Sequence, residues 1–335
     1  MTTTQARRRF LAGLSGVGVA ALLRKPTLAA EERLETTSVR LPAAGSICMA
    51  PQHLATDLLR AEGFTDIRLV PHGPDVTVPD QIAQGAIDFG GNYASTLISG
   101  IDRGVAMKTL VGVHVGCFEL FVKDTMRSVA ELAGKKVGIR AVGSTEHLFL
   151  SVIAANVGID PKTQIDWVTS GPEIRPKQLF IDGKIDAFFG VPPDPQELRA
   201  KGIGHVVVNS AVDRPWSQYF CCMLTGSTDY VENHPVATKR VVRAILKATD
   251  LCATDPVRPA RMLVDGGLTR RYDYALQALS EIPYDKWREY DAEDAMRFWA
   301  LRLHDVGFIK SSPQKIIADG TDWRFLNELK RELKA

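Results

Sequence analysis

The sequence predicts an α/β protein of two lobes, each built on a largely parallel sheet. Short apolar runs with strand character alternate with segments of helical periodicity along most of the chain, a pattern typical of strand–helix–strand units. The 335 residues are enough to bury two hydrophobic cores. The alternation also occurs twice, and each half carries a similar signature, Gly85-Ala-Ile-Asp-Phe-Gly90 and Gly183-Lys-Ile-Asp-Ala-Phe-Phe-Gly190. This repeat favours two related lobes.

The first half is predicted to begin with a short polar arm and to continue as strands separated by helices or turns. Its predicted strands are 45–51, 67–70, 87–89, 108–115 and 118–122, the first of them ending in a turn. A helix with apolar residues at helical spacing follows the first strand and ends at Gly63, since glycine readily forms the left-handed cap of a helix. A second helix closes at Gly85, and Gly116 separates the last two strands.

The second half repeats this order and ends in a long helical tail. Its predicted strands are 137–140, 165–169, 185–189 and 219–224, and its predicted helices are 145–157 and 176–182. In the tail, Val241 and Ile245 belong to the apolar stripe of one helix, and Trp299 belongs to that of a second helix begun by Asp291. We assign these stripes to the core rather than to a cofactor site. A last helix over 322–334 is predicted to be amphipathic and solvated.

The stretch around Gly143 predicts a corner that can bind an anion. A strand is predicted to precede it, Gly143 forms the turn, and Ser144 and Thr145 start a helix. The first turn of a helix carries unpaired backbone N–H groups and the positive end of the helix dipole. Such a turn suits a carboxylate, a sulfonate, nitrate or a polar ring edge. On this stretch alone, Ser144 is better interpreted as a simple helix cap.

The N-terminus predicts a cleaved twin-arginine export signal over residues 1–29. Arg7-Arg8-Arg9-Phe10-Leu11 fits the twin-arginine pattern, an apolar Gly- and Ala-rich stretch follows, and small residues favour cleavage before Ala30. That stretch is too short to span a bilayer comfortably, and no other apolar run is long enough to do so. The mature protein is therefore expected to be free in the periplasm.

The charge of the chain argues against nucleic acid as a partner. The formal net charge is +2, but five of the 41 basic residues lie in the predicted signal, which contains no acid. The remaining 36 basic and 39 acidic residues leave a net charge of −3. No basic patch with interleaved aromatic residues is present, so no nucleic-acid-binding surface is predicted.

The cysteines are interpreted as buried free thiols. They are Cys48, Cys117, Cys221, Cys222 and Cys252. Their number is odd, no pair has metal-ligand spacing, and adjacent Cys221 and Cys222 point to opposite faces of a strand. The seven histidines show no ligand spacing either, and His114 is interpreted as a satisfied core histidine. We therefore predict no metal site, and the absence of a Gly-x-Ser-x-Gly elbow disfavours a hydrolase.

Five short motifs connect the chain to a known family. They are Leu132-Ala-Gly-Lys-Lys-Val-Gly-Ile, Gly143-Ser144-Thr145, Gly85-Ala-Ile-Asp-Phe-Gly, Gly183-Lys-Ile-Asp-Ala and Asn233-His234-Pro235. In these motifs the chain resembles the periplasmic solute-binding proteins of ABC importers, in the nitrate/sulfonate/taurine and thiamine-pyrimidine group. The resemblance implies a two-lobed type II periplasmic-binding-protein fold, with mainly parallel sheets and a hinge of two crossing segments. Mapped onto this chain, lobe 1 is 36–117 with 223–335, and lobe 2 is 118–222.

The resemblance also implies a ligand site between the lobes, at turns beyond the carboxyl ends of the strands. The candidate ligand-binding residues are Pro51, Gln52, His53, Asn92, Tyr93, Gly143, Ser144, Thr145, Asp194 and Trp216. Within this context, ligand binding by Ser144 and Thr145 is favoured over capping alone. His53 and Asp194 are also compatible with a cap or a fixed turn, and Trp216 with packing at the hinge.

By this resemblance the protein captures a small polar or anionic organic solute, such as a sulfonate, a carboxylate or a pyrimidine-like compound. It then delivers the solute to an ABC permease and its ATPase. A monomer without catalytic residues or cofactor is expected. Two alternatives are a periplasmic sensor and an enzyme similar to the fungal pyrimidine synthases of the same superfamily. Tyr219-Phe220-Cys221-Cys222-Met223 has fewer cysteines than the motif of those enzymes, which disfavours the second alternative.

Overall fold

The structure of the protein is a computed structural model that describes residues 32–43, 46–71, 73, 76–171 and 174–333. The predicted export signal and the predicted cleavage before Ala30 lie outside these residues. In the described ranges, no helix combines the length and the apolarity that a membrane crossing requires.

Strands and helices alternate as far as Ser227, and a series of helices follows, as predicted. The strands are β1 Ser38–Pro42, β2 Asp66–Val70, β3 Phe89–Tyr93, β4 Met107–Val115, β5 Glu119–Val122, β6 Lys136–Ile139, β7 Asp166–Thr169, β8 Ala187–Gly190, β9 His205–Asn209 and β10 Phe220–Ser227. The helices are α1 Ala50–Ala61, α2 Val78–Ala83, α3 Ala94–Asp102, α4 Thr145–Asn156, α5 Pro176–Ile181, α6 Asp194–Lys201, α7 Thr228–Asn233, α8 Pro235–Thr254, α9 Val257–Asp265, α10 Tyr272–Glu281, α11 Ala292–Asp305, α12 Pro313–Gly320 and α13 Arg324–Glu332.

The described strands form three sheets. β1 and β2 pair in parallel, and β10 lies between β3 and β4 in an antiparallel sheet. The third sheet has the order β7-β6-β8-β5-β9, in which β6 is parallel to β7 and β8, while β5 is antiparallel to both of its neighbours. The α/β fold class is therefore confirmed. Two of the sheets contain the predicted parallel pairs, and β5 and β10 contribute the antiparallel ones.

The repeated signature has the same structural role in both halves. Asp88, just before β3, accepts a hydrogen bond from the backbone N–H of Arg40 (2.7 Å), and its own N–H donates to the Arg40 carbonyl (2.9 Å). Asp186, just before β8, makes the same pair of bonds with Lys136, at 3.0 and 2.7 Å. Each aspartate thus fixes the position of its strand relative to β1 or β6, so the similarity in sequence corresponds to a similarity in structure.

The chain passes twice between the second and third sheets, once between β4 and β5 and once between β9 and β10. The two passages contact each other, because the N–H of Ser210 donates to the carbonyl of Phe118 (2.9 Å) and the Ser210 hydroxyl accepts from the Phe118 N–H (2.9 Å). A Cβ on Gly116 would lie 2.1 Å from the backbone of Ser210. The backbones are therefore in direct contact here. The predicted lobe boundaries near these passages stay a prediction.

The prediction of a strand over 45–51 is wrong. Ile47–Met49 form a 3-10 helix, α1 follows from Ala50, and the first strand lies within the predicted polar arm. All three residues of the 3-10 helix are buried. A short apolar run does not distinguish a buried strand from a buried helical turn. Pro51 favours the helix, because its fixed φ suits the first turn.

The prediction of a turn at Asn92 and Tyr93 is also wrong. β3 continues through both residues and pairs with β10 over its full length. A Cβ on Gly91, in the middle of β3, would lie 1.8 Å from Cε of Met49. The Met49 side chain therefore packs directly on the backbone of Gly91, and a larger residue here would require that side chain to move. Gly90 and Gly91, which precede Asn92, mark close packing rather than the end of the strand.

Arg199 of α6 connects the third sheet to α10. Its guanidinium donates to Glu119 of β5 (2.5 Å) and to both carboxylate oxygens of Glu281 (2.6 and 2.7 Å). Glu119 is only 5% exposed. Burial raises the pKa of Glu119 to about 7, a shift that the positive charge of Arg199 opposes and the negative charge of Glu281 supports.

Candidate functional site

The start of α4 is a glycine turn followed by a serine cap, as predicted. Gly143 has φ +83°, a backbone conformation that glycine adopts most readily. The hydroxyl of Ser144 accepts a hydrogen bond from the backbone N–H of His147 (3.4 Å). The N–H of Gly143 in turn donates to Nδ1 of His147 (2.9 Å). The capping role of Ser144 is therefore confirmed, and the His147 side chain closes the turn.

His147 is held in its neutral form by its surroundings. The ring is 6% exposed and meets Trp167 and Phe308 edge-on, with ring centroids 4.7 and 5.0 Å apart. Because burial penalises the charged imidazolium, the pKa of His147 falls to about 4. Nδ1 accepts the bond from Gly143, so the ring proton of the neutral form is on Nε2.

We expect His147 to destabilise the fold in acid. Its pKa is lower in the folded than in the unfolded chain, so the unfolded chain binds the proton more readily. The contribution of neutral His147 to the free energy of unfolding is fully present above pH 6.5 and is lost as the pH falls towards about 4. His147→Asn keeps an acceptor for the Gly143 N–H but removes the titration. Thermal unfolding of both proteins between these pH values should show the smaller loss for the variant, and parallel curves would contradict the prediction.

Thr145, the first residue of α4, contacts α3. Its hydroxyl oxygen lies 2.7 Å from that of Thr96, in the first turn of α3. α3 directly follows Asn92 and Tyr93, which are half-buried, and the Asn92 side chain accepts from the Tyr93 N–H (2.8 Å). The structure thus brings the end of β3 and the start of α4 together through Thr96.

Gln52 connects α1 to two strands. Its side chain accepts a hydrogen bond from the N–H of Gly91 (3.0 Å) and donates to the carbonyl of Pro42 (2.7 Å). Gln52 is 1% exposed, so these bonds satisfy its amide inside the protein. Pro51 is buried beside it, and His53 is half-buried. Gln52 therefore connects α1 to the middle of β3 and to the end of β1.

Asp194 and Trp216 make contacts that stabilise the fold. Asp194 begins α6 and pairs with Lys177 at 2.7 Å. Trp216 is 5% exposed and packs edge-on against Phe149 of α4 (5.8 Å) and nearly parallel to Trp299 of α11 (6.0 Å between ring centroids). These contacts agree with the fixed turn and the packing that the sequence left as alternatives.

Four buried side chains of metal-ligand type meet inside the protein, a group that we call the thiol–histidine cluster. They are Cys48, His114, Cys117 and Cys222. Their ligand atoms all lie within 4.8 Å of one another. The residues come from the 3-10 helix before α1, from β4, from the passage to β5 and from β10. All five cysteines are free and buried, as predicted. The meeting of three of these cysteines with His114 was not predicted.

Only one of the two ring nitrogens of His114 has a hydrogen-bond partner. It is fully buried, as predicted, and its Nδ1 lies 2.5 Å from the carbonyl oxygen of Val115. Nε2 is buried without a hydrogen-bond partner. The interpretation of His114 as a satisfied core histidine is therefore right about burial and wrong about its second nitrogen.

The sequence did not predict Thr96 or the thiol–histidine cluster, because both depend on contacts between residues that are distant in sequence. Metal-ligand spacing is diagnostic only when two ligands share one turn or one strand. Here His114 and Cys117 are three residues apart, but Cys48 and Cys222 lie far from them and from each other in sequence. The available signal was weaker: His114 and the cysteines lie in apolar runs near the ends of predicted strands.

Comparison with known proteins agrees with this fold. The model of the NMT1-like family matches residues 32–262. A 4-amino-5-hydroxymethyl-2-methylpyrimidine phosphate synthase of Saccharomyces cerevisiae is 22% identical over 235 residues, which cover 64% of this chain and 67% of that protein.

Solved structures resemble the chain over most of its length. The periplasmic nitrate-binding protein NrtA from Synechocystis PCC 6803 has a TM-score of 0.74 at 14% identity and covers 90% of each chain. The alkanesulfonate-binding protein SsuA from Xanthomonas axonopodis pv. citri, bound to MOPS, has a TM-score of 0.67 at 19% identity and covers 83% of this chain and 96% of that one. The predicted periplasmic-binding-protein fold is thereby confirmed.

Proposed function

The chain belongs to the NMT1-like family, and on that premise we propose that it is the substrate-binding component of an ABC importer. The proposed solute is small, polar or anionic and organic, such as a sulfonate, a carboxylate or a pyrimidine-like compound. It would bind between lobe 1 (36–117 with 223–335) and lobe 2 (118–222). The proposal is supported by structures of the same fold that are named for the binding of nitrate and of alkanesulfonates.

The observation that carries the proposal is the contact between Thr96 and Thr145. The two hydroxyl oxygens are 2.7 Å apart, and they belong to helices that the proposed boundaries assign to different lobes. A solute at this place would contact both lobes only when they are closed. Binding would therefore stabilise the closed form, since a ligand shifts an equilibrium by its difference in affinity for the two states.

The chemistry around this contact favours a polar or negatively charged group. The first turn of α4 presents backbone N–H groups and the positive end of the helix dipole. The hydroxyls of Ser144 and Thr145 can donate or accept, and the amide of Asn92 at the end of β3 can do the same. Tyr93, half-buried beside Asn92, offers a ring face for an organic group. Together these groups suit an organic anion better than a bare inorganic one.

The proposed partners are an ABC permease and its ATPase. Export by the twin-arginine pathway would place the folded protein in the periplasm. We propose a monomer, because the two lobes must move freely around the passages near Gly116.

The alternative is an enzyme similar to the pyrimidine phosphate synthases. Its support is the 22% identity to the Saccharomyces cerevisiae protein. The structural neighbours named above are binding proteins, which favours the importer. A sensor that binds the same solute without a permease is the third candidate.

A thermal-shift screen tests the proposal. We would measure the melting temperature with sulfonates, nitrate, aliphatic and aromatic carboxylates, and pyrimidines. A ligand at a hundred times its dissociation constant stabilises the native state by about 2.7 kcal/mol, which corresponds to a shift of a few degrees. We expect such a shift with at least one compound.

Variants locate the binding. Thr145→Ala and Asn92→Ala should remove most of the ligand-induced shift, whereas Thr254→Ala, an exposed threonine at the end of α8, should keep it. A shift that survives both site variants would place the solute elsewhere. The absence of any shift, combined with formation of a pyrimidine phosphate by the purified protein, would favour the enzyme.

A further inference from the structure

The thiol–histidine cluster shares no ligand residue with the proposed solute site, although the hydroxyl of Tyr93 lies 3.9 Å from the sulfur of Cys48, and it carries an inference of its own. We propose that Cys48, His114, Cys117 and Cys222 bind one zinc ion. Three sulfur ligands and one imidazole form a common set in structural zinc sites. Soft thiolate ligands also disfavour Mg²⁺ and Ca²⁺, which prefer oxygen.

The distances fit a four-coordinate ion. In a tetrahedral site with Zn–S bonds of about 2.3 Å, the ligand sulfurs lie roughly 3.8 Å apart. The four ligand atoms here all lie within 4.8 Å of one another, so a small inward movement of the side chains completes the shell. All four residues are buried, with exposed fractions between 0 and 6%. The site is therefore closed to solvent and offers no open position for a substrate.

His114 is prepared to act as a ligand. Nδ1 lies 2.5 Å from the carbonyl of Val115, so this nitrogen carries the proton and donates it. Nε2 then has a free lone pair, and it is the atom that is buried without a partner. Histidines that bind metals commonly donate their other ring N–H to a backbone carbonyl in this way. A buried nitrogen without a partner is costly in a folded protein, and a metal bond would satisfy it.

Neighbouring groups can stabilise the sulfur charges. Zinc binding would release the protons of three thiols to solvent and leave a site with a net charge of −1. The hydroxyl of Ser46 lies 3.0 Å from the sulfur of Cys48, and that of Tyr93 lies 3.9 Å from it. The thiol of Cys221 lies 3.9 Å from the sulfur of Cys117. Each of these groups can donate to a thiolate.

The position of the site indicates a structural role. Its ligands hold together the segment before α1, β4, β10 and the passage from β4 to β5. Zinc would therefore fix the place where the chain leaves one sheet for the other. A closed site of this kind contributes directly to folding stability.

Metal analysis of the full chain, produced with zinc in the medium and purified without chelator, tests the proposal. We expect about one equivalent of zinc per chain. Replacement by Co²⁺ should produce thiolate-to-cobalt charge-transfer absorption, and a strong chelator should lower the melting temperature by several degrees. These readouts use the unaltered protein, so they do not depend on whether a variant folds.

Variants assign the ligands. Cys48→Ser, Cys222→Ser and His114→Asn should each lose most of the metal, whereas Cys252→Ser should keep it, because Cys252 is an equally buried cysteine of α8 outside the cluster. A folded protein with five reactive thiols on denaturation and less than about a tenth of an equivalent of zinc would overturn the proposal. A disulfide between Cys117 and Cys221 in the purified protein would overturn it as well.

Discussion

Replacement of Gly116 by alanine is expected to destabilise the protein by about 3 kcal/mol or more, the upper range for overpacking. A Cβ at this position would lie 2.1 Å from the carbonyl carbon and oxygen of Ser210, closer than real Cβ atoms approach backbone. Three hydrogen bonds join Ser210 to Phe118, so the opposing backbone cannot retreat without losing them. The passages between the sheets would have to separate.

Gly73→Ala is the matched control for this prediction. Among the residues that the structure describes, a Cβ on Gly73 would meet Cγ2 of Val76 alone, at an ordinary 3.7 Å. We expect its effect to stay within about 0.5 kcal/mol. Denaturant unfolding of the three proteins measures the difference. Equal stabilities of Gly116→Ala and Gly73→Ala would show that the passages can separate at no cost, and would contradict the tight contact seen here.

Replacement of Arg199 by methionine is expected to cost about 2–3 kcal/mol at pH 8 and much less at pH 5. Removal of one partner from a buried pair costs about 3–5 kcal/mol, and the partial exposure of Arg199 reduces that figure. Glu119 loses its counter-charge in the variant, so its pKa rises above the present value of about 7. At pH 5 the carboxyl group is protonated and needs no counter-charge.

The sign of the pH dependence follows from the raised pKa of Glu119. The folded protein binds this proton more tightly than the unfolded chain, whose carboxyl titrates near 4.5. The stability is fully present below pH 4.5 and is lost as the pH rises through about 7. Without Arg199 the loss continues to higher pH, so the difference between the two proteins widens above neutrality.

Thermal unfolding of Arg199→Met at both pH values provides the measurement. Arg297→Met is the control, because Arg297 makes only an exposed pair with Glu293 on α11, worth at most about 0.5 kcal/mol. The double variant Arg199→Met with Glu119→Gln should recover the loss at pH 8. An equal loss at both pH values would mean that packing or the pair with Glu281, and not the charge of Glu119, explains the role of Arg199.

The sequence predicted the fold wherever the signal for an element is local. α4 and α11 begin where predicted, because Ser144 and Asp291 provide helix caps and apolar residues follow at regular spacing. α13 also forms near its predicted position, but Phe325 and Leu329 are buried, so its apolar face packs on the protein rather than lying in solvent. The prediction failed at Ile47–Met49, where an apolar run supports either a strand or a buried helical turn.

The candidate site was predictable to a smaller extent. Gly143 and Ser144 form the predicted turn and cap, since both depend on neighbours within four residues. The contact between Thr96 and Thr145 joins two helices that are distant in sequence, and nothing in either helix alone indicates it. The same holds for the thiol–histidine cluster. Only the folded chain brings its ligands together.

The two aspartates that precede β3 and β8 also restrict how the chain can misfold. A slip of either strand by one residue would turn its aspartate towards the opposite face of the sheet. The slipped chain would lose the bonds to Arg40 or Lys136 and the ion pairs of Asp88 with Arg40 (2.5 Å) and of Asp186 with Lys123 (2.8 Å). Each half of the protein thus selects its own strand alignment. Because β10 lies between β3 and β4, we expect the pairing of these strands to be completed only after the chain has been synthesised through Ser227.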